Sequence, residues 1–174
     1  MIQWLLISLL LIGTSIPTAH AQFDDLKFKQ ALRVKKDFYL SDGAFTGGDR
    51  ASSDFSVSNV RVAANPAGYD RVVIDLSGNH LGEKSNLARP PFYLIEVDST
   101  GRRIIVTLYG KPKLDFSTSS AIQSAHRAKV ISEFEFVPLA NLDRWTWVIH
   151  TREPAKAEVF ELMNPARIII DLKR

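Results

Sequence analysis

The sequence predicts an all-β fold in which duplicated β-hairpin units form two packed sheets, a β-sandwich with pseudo-two-fold symmetry. The first observation is a recurring phrase, an arginine followed by aliphatic residues and then by Asp-Leu or Thr-Leu. It stands at Arg71–Leu76, Arg103–Leu108 and Arg167–Leu172, with a looser copy at Arg144–Ile149. Short runs of β-branched residues that end at Gly, Pro or Asn are typical of strands rather than helices. The second observation is that the order of these strands runs twice along the chain.

Turn residues divide the chain after Val57 into four hairpins. Each hairpin is a pair of strand-like runs separated by turn-forming residues such as Asn, Asp, Gly or Pro. The paired runs are 57–63 with 69–76, 92–97 with 103–109, 129–138 with 144–151, and 156–162 with 167–173. The first two hairpins match the last two, because Asp70-Arg71 aligns with Asp143-Arg144 and Arg103 aligns with Arg167. This duplication predicts two related sheets whose aliphatic faces are buried together.

The segment between the second and third hairpins is the one place where the sequence offers a helix. Residues 115–126 are rich in Ser and Thr, and these side chains are suited to cap a helix N-terminus. We therefore expect at most one short helix there.

The N-terminus has the pattern of a secretory signal peptide at residues 1–21. The apolar run 4–12 is too short to cross a bilayer as a helix, and Ala19-His20-Ala21 fits the small-x-small rule for cleavage. The alternative is an uncleaved membrane anchor. With cleavage, we expect a periplasmic protein that has no stable membrane span. The chain has 0 cysteines, so its stability must come from apolar burial and strand pairing rather than from disulfides.

Residues 22–55 are predicted to be an N-terminal arm and flexible linker, followed by the β domain at 56–174. The linker prediction rests on the Gly, Ser and Asp content of 41–54. The basic residues of the arm either touch a membrane or a partner or form a solvated face. The formal net charge of +3 suits an anionic partner but also suits solubility alone. This modest charge, together with export, argues against nucleic-acid binding.

Two phrases resemble the AMIN or AMIN-like domains, which are named from the N-terminal part of bacterial N-acetylmuramoyl-L-alanine amidases. The first is Gly68–Leu76, and the second is Val159–Leu172, in which a Pro and an Arg precede an aliphatic run closed by Asp-Leu. The resemblance covers about residues 57–173. It implies a pair of β-sheets and a role in targeting envelope proteins through peptidoglycan binding. The alternative is an assembly module whose partner is another envelope protein.

Candidate ligand-binding residues lie on the strand faces that carry arginine. Side chains alternate along a strand, so Arg71 and Asp75 share the side opposite the wholly apolar one. The candidates on these faces are Arg71, Asp75, Arg103, Arg144, Arg167 and Asp171. Guanidinium groups are suited to the carboxylates of peptidoglycan stem peptides. The alternative is that each Arg pairs with a cross-strand acid, as Arg71 with Asp171, and has no binding role.

Aromatic side chains offer a second kind of ligand-binding candidate. Phe92 and Tyr93, which follow Pro90-Pro91, and Tyr109 are the candidates for an exposed platform. Trp145 and Trp147 share one side of a strand and are expected in the core, because aromatic rings bury a large apolar area. The alternative for the two tryptophans is a platform on which sugars stack.

The sequence carries no catalytic motif, so we expect no enzymatic activity, no cofactor and no metal. The histidines of the mature chain are widely separated, and no Gly-x-Ser-x-Gly elbow is present. The Gly-rich segment 43–48 lacks the Lys-Ser or Lys-Thr of a phosphate loop. One alternative stays open, a zinc site assembled from His80, His126 and Glu83 in the loops 81–91 and 114–127.

Overall fold

The computed structural model describes residues 28–30, 35–80, 83–137 and 143–174, and it confirms an all-β sandwich. The strands are β1 (Phe28–Gln30), β2 (Asp42–Gly47), β3 (Asp54–Asn65), β4 (Tyr69–His80), β5 (Glu83–Ser85), β6 (Tyr93–Asp98), β7 (Arg103–Tyr109), β8 (Lys111–Leu114), β9 (Ile131–Phe136), β10 (Arg144–Thr151), β11 (Lys156–Leu162) and β12 (Arg167–Lys173). One helix, α1 (Thr118–His126), lies between β8 and β9. The signal peptide expected at 1–21 lies outside the described residues.

All four predicted hairpins form, as β3–β4, β6–β7, β9–β10 and β11–β12. Sheet I has the strand order β1-β2-β6-β7-β10-β9. Sheet II has the order β11-β12-β4-β3-β8, and β5 pairs with β4. The pairs β1–β2 and β3–β8 are parallel, and the other described pairs are antiparallel.

Each sheet takes one hairpin from each repeat. In sheet II, β4 of the first repeat pairs with β12 of the second, and in sheet I, β7 of the first pairs with β10 of the second. The counterparts in the two repeats are β3 and β9, β4 and β10, β6 and β11, and β7 and β12. Replacing each strand by its counterpart converts the order β11-β12-β4-β3 of sheet II into the order β6-β7-β10-β9 of sheet I. The duplication therefore relates the two sheets to each other, and the repeats are joined by strand pairing as well as by the core.

The flexible linker predicted at 41–54 is wrong, because β2 occupies 42–47 and pairs with β6 inside sheet I. Ala44 and Phe45 of this strand are buried. Its glycines serve close packing rather than flexibility. A Cβ atom on Gly47 would lie 2.4 Å from the Tyr93 hydroxyl oxygen. Gly48 has a φ of +80°, which strains other residues, and a Cβ there would lie 2.0 Å from the Pro91 carbonyl oxygen.

Helix α1 forms within the Ser/Thr-rich segment, as expected. The Ser117 side chain caps it by accepting a hydrogen bond from the Ser120 backbone N–H at 3.3 Å. Its buried residues, Ala121 and Ala125, lie one turn apart on the face that contacts β3 and β9. The helix thereby covers one side of the sandwich between the two sheets.

The core lies between the sheets, and Trp145 and Trp147 belong to it, as the sequence predicted. Both are buried, and the Phe136 ring stacks on them with centroid distances of 5.7 and 5.3 Å. Phe134 meets Trp147 edge-on at 5.0 Å. Aromatic pairs of this kind contribute about 0.5–1.5 kcal/mol beyond their burial. Sheet II supplies mainly aliphatic residues to the same core: Val57, Val60, Val72, Ile74, Leu76, Ile168, Ile170 and Leu172.

Candidate functional site

The sandwich has two outer faces, and the arginines of the recurring phrase lie on them. Along β4, Val72, Ile74 and Leu76 are buried in the core, whereas Arg71 and Asp75 lie on the opposite side. This confirms the assignment of faces made from strand alternation. The outer face of sheet II carries Arg61, Arg71, Asp75, Glu158, Arg167 and Asp171. The outer face of sheet I carries Asp98, Arg103, Tyr109 and Arg144.

On the outer face of sheet II, Arg71 is already bound to an acid of the same protein. Its Nε and Nη2 atoms donate to the two carboxylate oxygens of Asp171, at 2.7 and 2.8 Å. Asp171 is 0% exposed and Arg71 is 31% exposed. The hydrogen bonds to Asp171, which outweigh burial, raise the pKa of Arg71 further above its usual value. Arg71 and Asp171 therefore form the cross-strand ion pair that the sequence analysis gave as the alternative to a binding role.

The N-terminal arm closes over this ion pair through Lys35. Its Nζ atom lies 3.1 Å from Asp171, 2.8 Å from Glu158 and 2.8 Å from Asp37. Burial alone would lower the pKa of Lys35, but these hydrogen bonds more than offset it and raise the pKa above its usual value. Glu158 also accepts the Lys36 backbone N–H at 2.7 Å. Arm residues 35–40 are thus fixed along β11, and we name the contact of Lys35 with these carboxylates the arm latch.

The second acid of this face, Asp75, is shared between two arginines. Arg61 donates to both carboxylate oxygens, at 2.9 and 3.1 Å, and the Arg167 Nε atom lies 3.0 Å from Oδ1. Arg61 is exposed, whereas Asp75 and Arg167 are half-buried. Arg71, Asp75, Arg167 and Asp171 therefore lie together on the outer face of sheet II, and their charges are used within the protein rather than left for a ligand.

The outer face of sheet I differs, because its arginines are more accessible. Arg103 pairs with Asp98 at 2.9 Å, and both side chains are in contact with solvent. The backbone N–H of Gly101 and then Arg103 hold the pKa of Asp98 below its usual value. Arg144 is exposed and has no ion-pair or hydrogen-bond partner among the described residues. It lies directly opposite Tyr109 in the β7–β10 pair.

Tyr109 lies on this face as predicted, but the prediction that Tyr93 is exposed is wrong. Tyr93 is 0% exposed and points into the core, where its hydroxyl donates to Glu161 at 3.2 Å. The outward neighbour is Phe92, which is half-buried and lies 5.2 Å from the Tyr109 ring. The Arg50 guanidinium covers the Phe92 ring at 4.5 Å. The aromatic pair on the outer face of sheet I is therefore Phe92 with Tyr109.

Two buried carboxylates have roles that the sequence reasoning missed. Glu161 is 1% exposed, and one of its oxygens accepts from the Gly48 backbone N–H at 2.7 Å and from Tyr93. Burial, followed by the charge of Glu161, raises the pKa of Tyr93 well above its usual value. Asp70 is fully buried and accepts the backbone N–H groups of Val130 and Ile131. Strand alternation was the available signal, since both acids share a side with core residues.

The described residues contain no cluster of His, Asp or Glu that would hold a metal ion. The sequence analysis left open a zinc site formed by His80, His126 and Glu83. His126 is exposed, and the side chains of His80 and Glu83 lie outside the described part of the structure. Among the helices that the structure describes, none is long and apolar enough to span a membrane.

Comparison with models of known protein families, with curated proteins and with solved structures found no match for this chain. The resemblance to AMIN domains stays a prediction from the phrases Gly68–Leu76 and Val159–Leu172. The argument about function therefore depends on the geometry of the two outer faces.

Proposed function

We propose that this protein is a non-catalytic periplasmic module that binds peptidoglycan, with an AMIN-like domain as its scaffold. The single observation that carries the proposal is the row formed by Phe92, Tyr109 and Arg144 on the outer face of sheet I. It combines a pair of aromatic rings with an exposed guanidinium that no described acid neutralises.

The chemistry of this row matches the two kinds of group that peptidoglycan presents. A guanidinium binds carboxylates through charge-assisted hydrogen bonds, and the stem peptides and lactyl groups of the wall carry carboxylates. A tyrosine ring offers an apolar face and a polar tip, which suits a sugar ring. Because a sheet holds these side chains, their spacing is fixed before the ligand arrives, which lowers the entropic cost of binding.

The N-terminus supports an envelope location for this function. The apolar run 4–12 followed by Ala19-His20-Ala21 has the form of a cleaved secretory signal. If the chain is exported, its 0 cysteines fit a bacterial periplasm better than a eukaryotic secretory route.

Retention by purified, insoluble peptidoglycan sacculi tests the proposal. We expect the wild-type protein to sediment with sacculi, and Arg144→Ala to weaken retention about tenfold, since one charge-assisted contact is lost. Tyr109→Ala should weaken it in the same direction. The matched control is Arg61→Ala, which removes an exposed arginine from the outer face of sheet II and leaves Asp75 paired with Arg167.

Two results would contradict the proposal. Equal losses for Arg144→Ala and Arg61→Ala would mean that overall charge, rather than the row on sheet I, governs retention. If sacculi do not retain the wild-type protein but envelope extracts yield a stoichiometric partner, the protein is an envelope assembly module. Strand β9 favours that second function, because it ends sheet I with no described strand on its far side.

A further inference from the structure

A cleft at one end of the sandwich is lined by basic residues from three separate segments. They are Lys129, which precedes β9, Arg152, which follows β10, and Lys173 with Arg174 at the end of β12. The cleft has a volume of about 590 Å³, which lies in the range of small-ligand sites. Gly68 of the β3–β4 turn forms part of its wall.

Hydrogen bonds hold the segments of this cleft in fixed positions. The buried Asp70 carboxylate accepts the backbone N–H groups of Val130 and Ile131. The Val130 carbonyl accepts the Arg152 backbone N–H at 2.9 Å. The Lys129 carbonyl in turn accepts from Arg174 Nη2 at 3.3 Å. The backbone that carries the cations is therefore organised without a ligand.

The charge of the cleft is poorly compensated. No acidic side chain is among its described lining residues, but Arg174 Nε lies 3.5 Å from Glu153, and the buried Asp70 carboxylate lies behind Val130. The Lys173 ammonium is also engaged elsewhere, since its Nζ atom lies 3.7 Å from the centre of the Tyr39 ring. Lys129 and Arg152 are exposed and have no described acidic partner. Like charges that converge in one cleft repel each other, so an anion that enters relieves this repulsion.

The pseudo-two-fold supplies a second cleft for comparison. It lies where β3 begins and β7 ends, which are the counterparts of β9 and β12, and has a volume of about 550 Å³. Its charged residues are Asp54, Lys111, Lys113 and Asp143, and Lys111 lies 3.9 Å from Asp143. The two clefts share their position in the repeat, but only the first has a single sign of charge among its described residues. The basic lining therefore does not follow from the duplicated fold alone.

We propose that the basic cleft, through Lys129, Arg152 and Arg174, binds a phosphate group. A phosphate monoester carries about −1.5 to −2 charge at neutral pH and three acceptor oxygens, so it neutralises converging cations better than one carboxylate does. Arginine forks bind such oxygens in pairs, while lysines contribute point charges. This inference goes beyond the proposed wall binding, because none of these residues belongs to the outer face of sheet I.

Two probes distinguish the sources of the phosphate, a soluble ligand or a lipid headgroup. The first is inorganic pyrophosphate, whose binding is measured by calorimetry with succinate as the carboxylate comparison. The second is a set of vesicles of phosphatidylcholine with or without phosphatidic acid, a lipid phosphate monoester, whose binding is measured by co-sedimentation. The test variant is Lys129→Ala/Arg152→Ala, and the matched control, Lys111→Ala/Lys113→Ala, removes the same charge from the second cleft. Unfolding in urea verifies that both variants are folded.

We expect the test variant to bind the active probe about tenfold to thirtyfold more weakly than wild type, and the control to change less than about twofold. Binding of pyrophosphate alone supports a soluble phosphorylated ligand, and binding of phosphatidic acid vesicles supports a lipid headgroup. Equal losses in the two double variants overturn the inference, as does equal affinity for succinate. Failure of the wild type to bind either probe also overturns it. Arg144→Ala should leave these affinities unchanged, which separates this result from wall binding.

Discussion

The outer faces of sheet I and sheet II carry the same recurring strand phrase, yet their arginines have different partners. On sheet II, Arg71 meets Asp171, and Arg167 meets Asp75. In the aligned repeat, the positions of Asp75 and Asp171 are taken by Val148 and Thr107. Arg144 is therefore left exposed, without a described partner.

The two sheets are therefore alike on the inner side of their strands and differ on the outer side. The apolar inner positions of β4, β7, β10 and β12 are buried on both sheets, since loss of volume or an unpaired charge destabilises a core. Asp70, an acid on the inner side of β4, accepts two backbone N–H groups. Sheet II uses its outer face for ion pairing and for holding the arm, which leaves sheet I as the face available to a ligand.

The largest expected effect comes from breaking the ion pair on sheet II. Asp171→Ala removes a carboxylate that is 0% exposed and leaves Arg71 and Lys35 close together without it. We expect a loss of roughly 2–3 kcal/mol in the free energy of unfolding, below the usual cost of a broken buried pair because both cations keep some contact with water. Urea unfolding measures it. On sheet I, Asp98→Ala breaks an exposed pair and should lower the unfolding midpoint much less. Similar losses for both variants would contradict the distinction.

Local patterns in the sequence were sufficient for the hairpins, the helix cap and the choice of faces. Turn residues and the two-residue period of a strand act over short distances in the sequence, so a hairpin such as 57–63 with 69–76 was predictable. The buried position of Tyr93 was also predictable. Glu96 and Asp98 mark the outer side of β6, and Tyr93 belongs to the other side.

The remaining features depend on residues that are far apart in sequence. Arg71 and Asp171 are 100 positions apart, and Lys35 and Glu158 are 123 apart. The basic cleft needs three segments and a turn to meet, and no local pattern signals that. Strand β2 was missed for a different reason, since glycines that allow close packing and glycines of a linker look alike in a sequence.

Alkaline pH should lower the free energy of unfolding, because deprotonation of Lys35 breaks the arm latch on sheet II. The pKa of Lys35 is raised in the folded protein above its usual value of 10.5. As the pH rises through that value, the unfolded chain releases its proton first, so the folded state binds more protons and the free energy of unfolding falls. We expect Lys35→Met to flatten this fall at pH values above 10.5, the usual pKa of a lysine, in urea unfolding series.

The same pH series needs a control, because the raised pKa values of Tyr93 and Tyr39 act in the same direction. Tyr93→Phe removes the hydroxyl in the core, so it separates the contribution of Tyr93 to the alkaline fall in stability from that of the arm latch. On sheet I, the pH dependence should lie in the acidic range. Because the pKa of Asp98 is lowered in the folded protein, the stabilisation from the Asp98 carboxylate is lost as the pH falls through that lowered pKa. An unchanged alkaline slope in Lys35→Met would mean that the arm latch does not contribute to stability.

The smallest effect concerns Asp75, which two arginines share. Arg61→Ala should cost less than about 0.5 kcal/mol, since Arg167 stays 3.0 Å from Asp75. Removing Arg61 and Arg167 together leaves the half-buried Asp75 without a guanidinium, so the double loss should exceed the sum of the single losses by about 0.5–1 kcal/mol. A double-mutant cycle in urea measures this coupling. On sheet I, the corresponding cycle of Arg103 and Arg144 should be additive, because these two arginines share no described acid. Coupling there, or additivity at Asp75, would mean that the two outer faces do not differ as their ion pairs indicate.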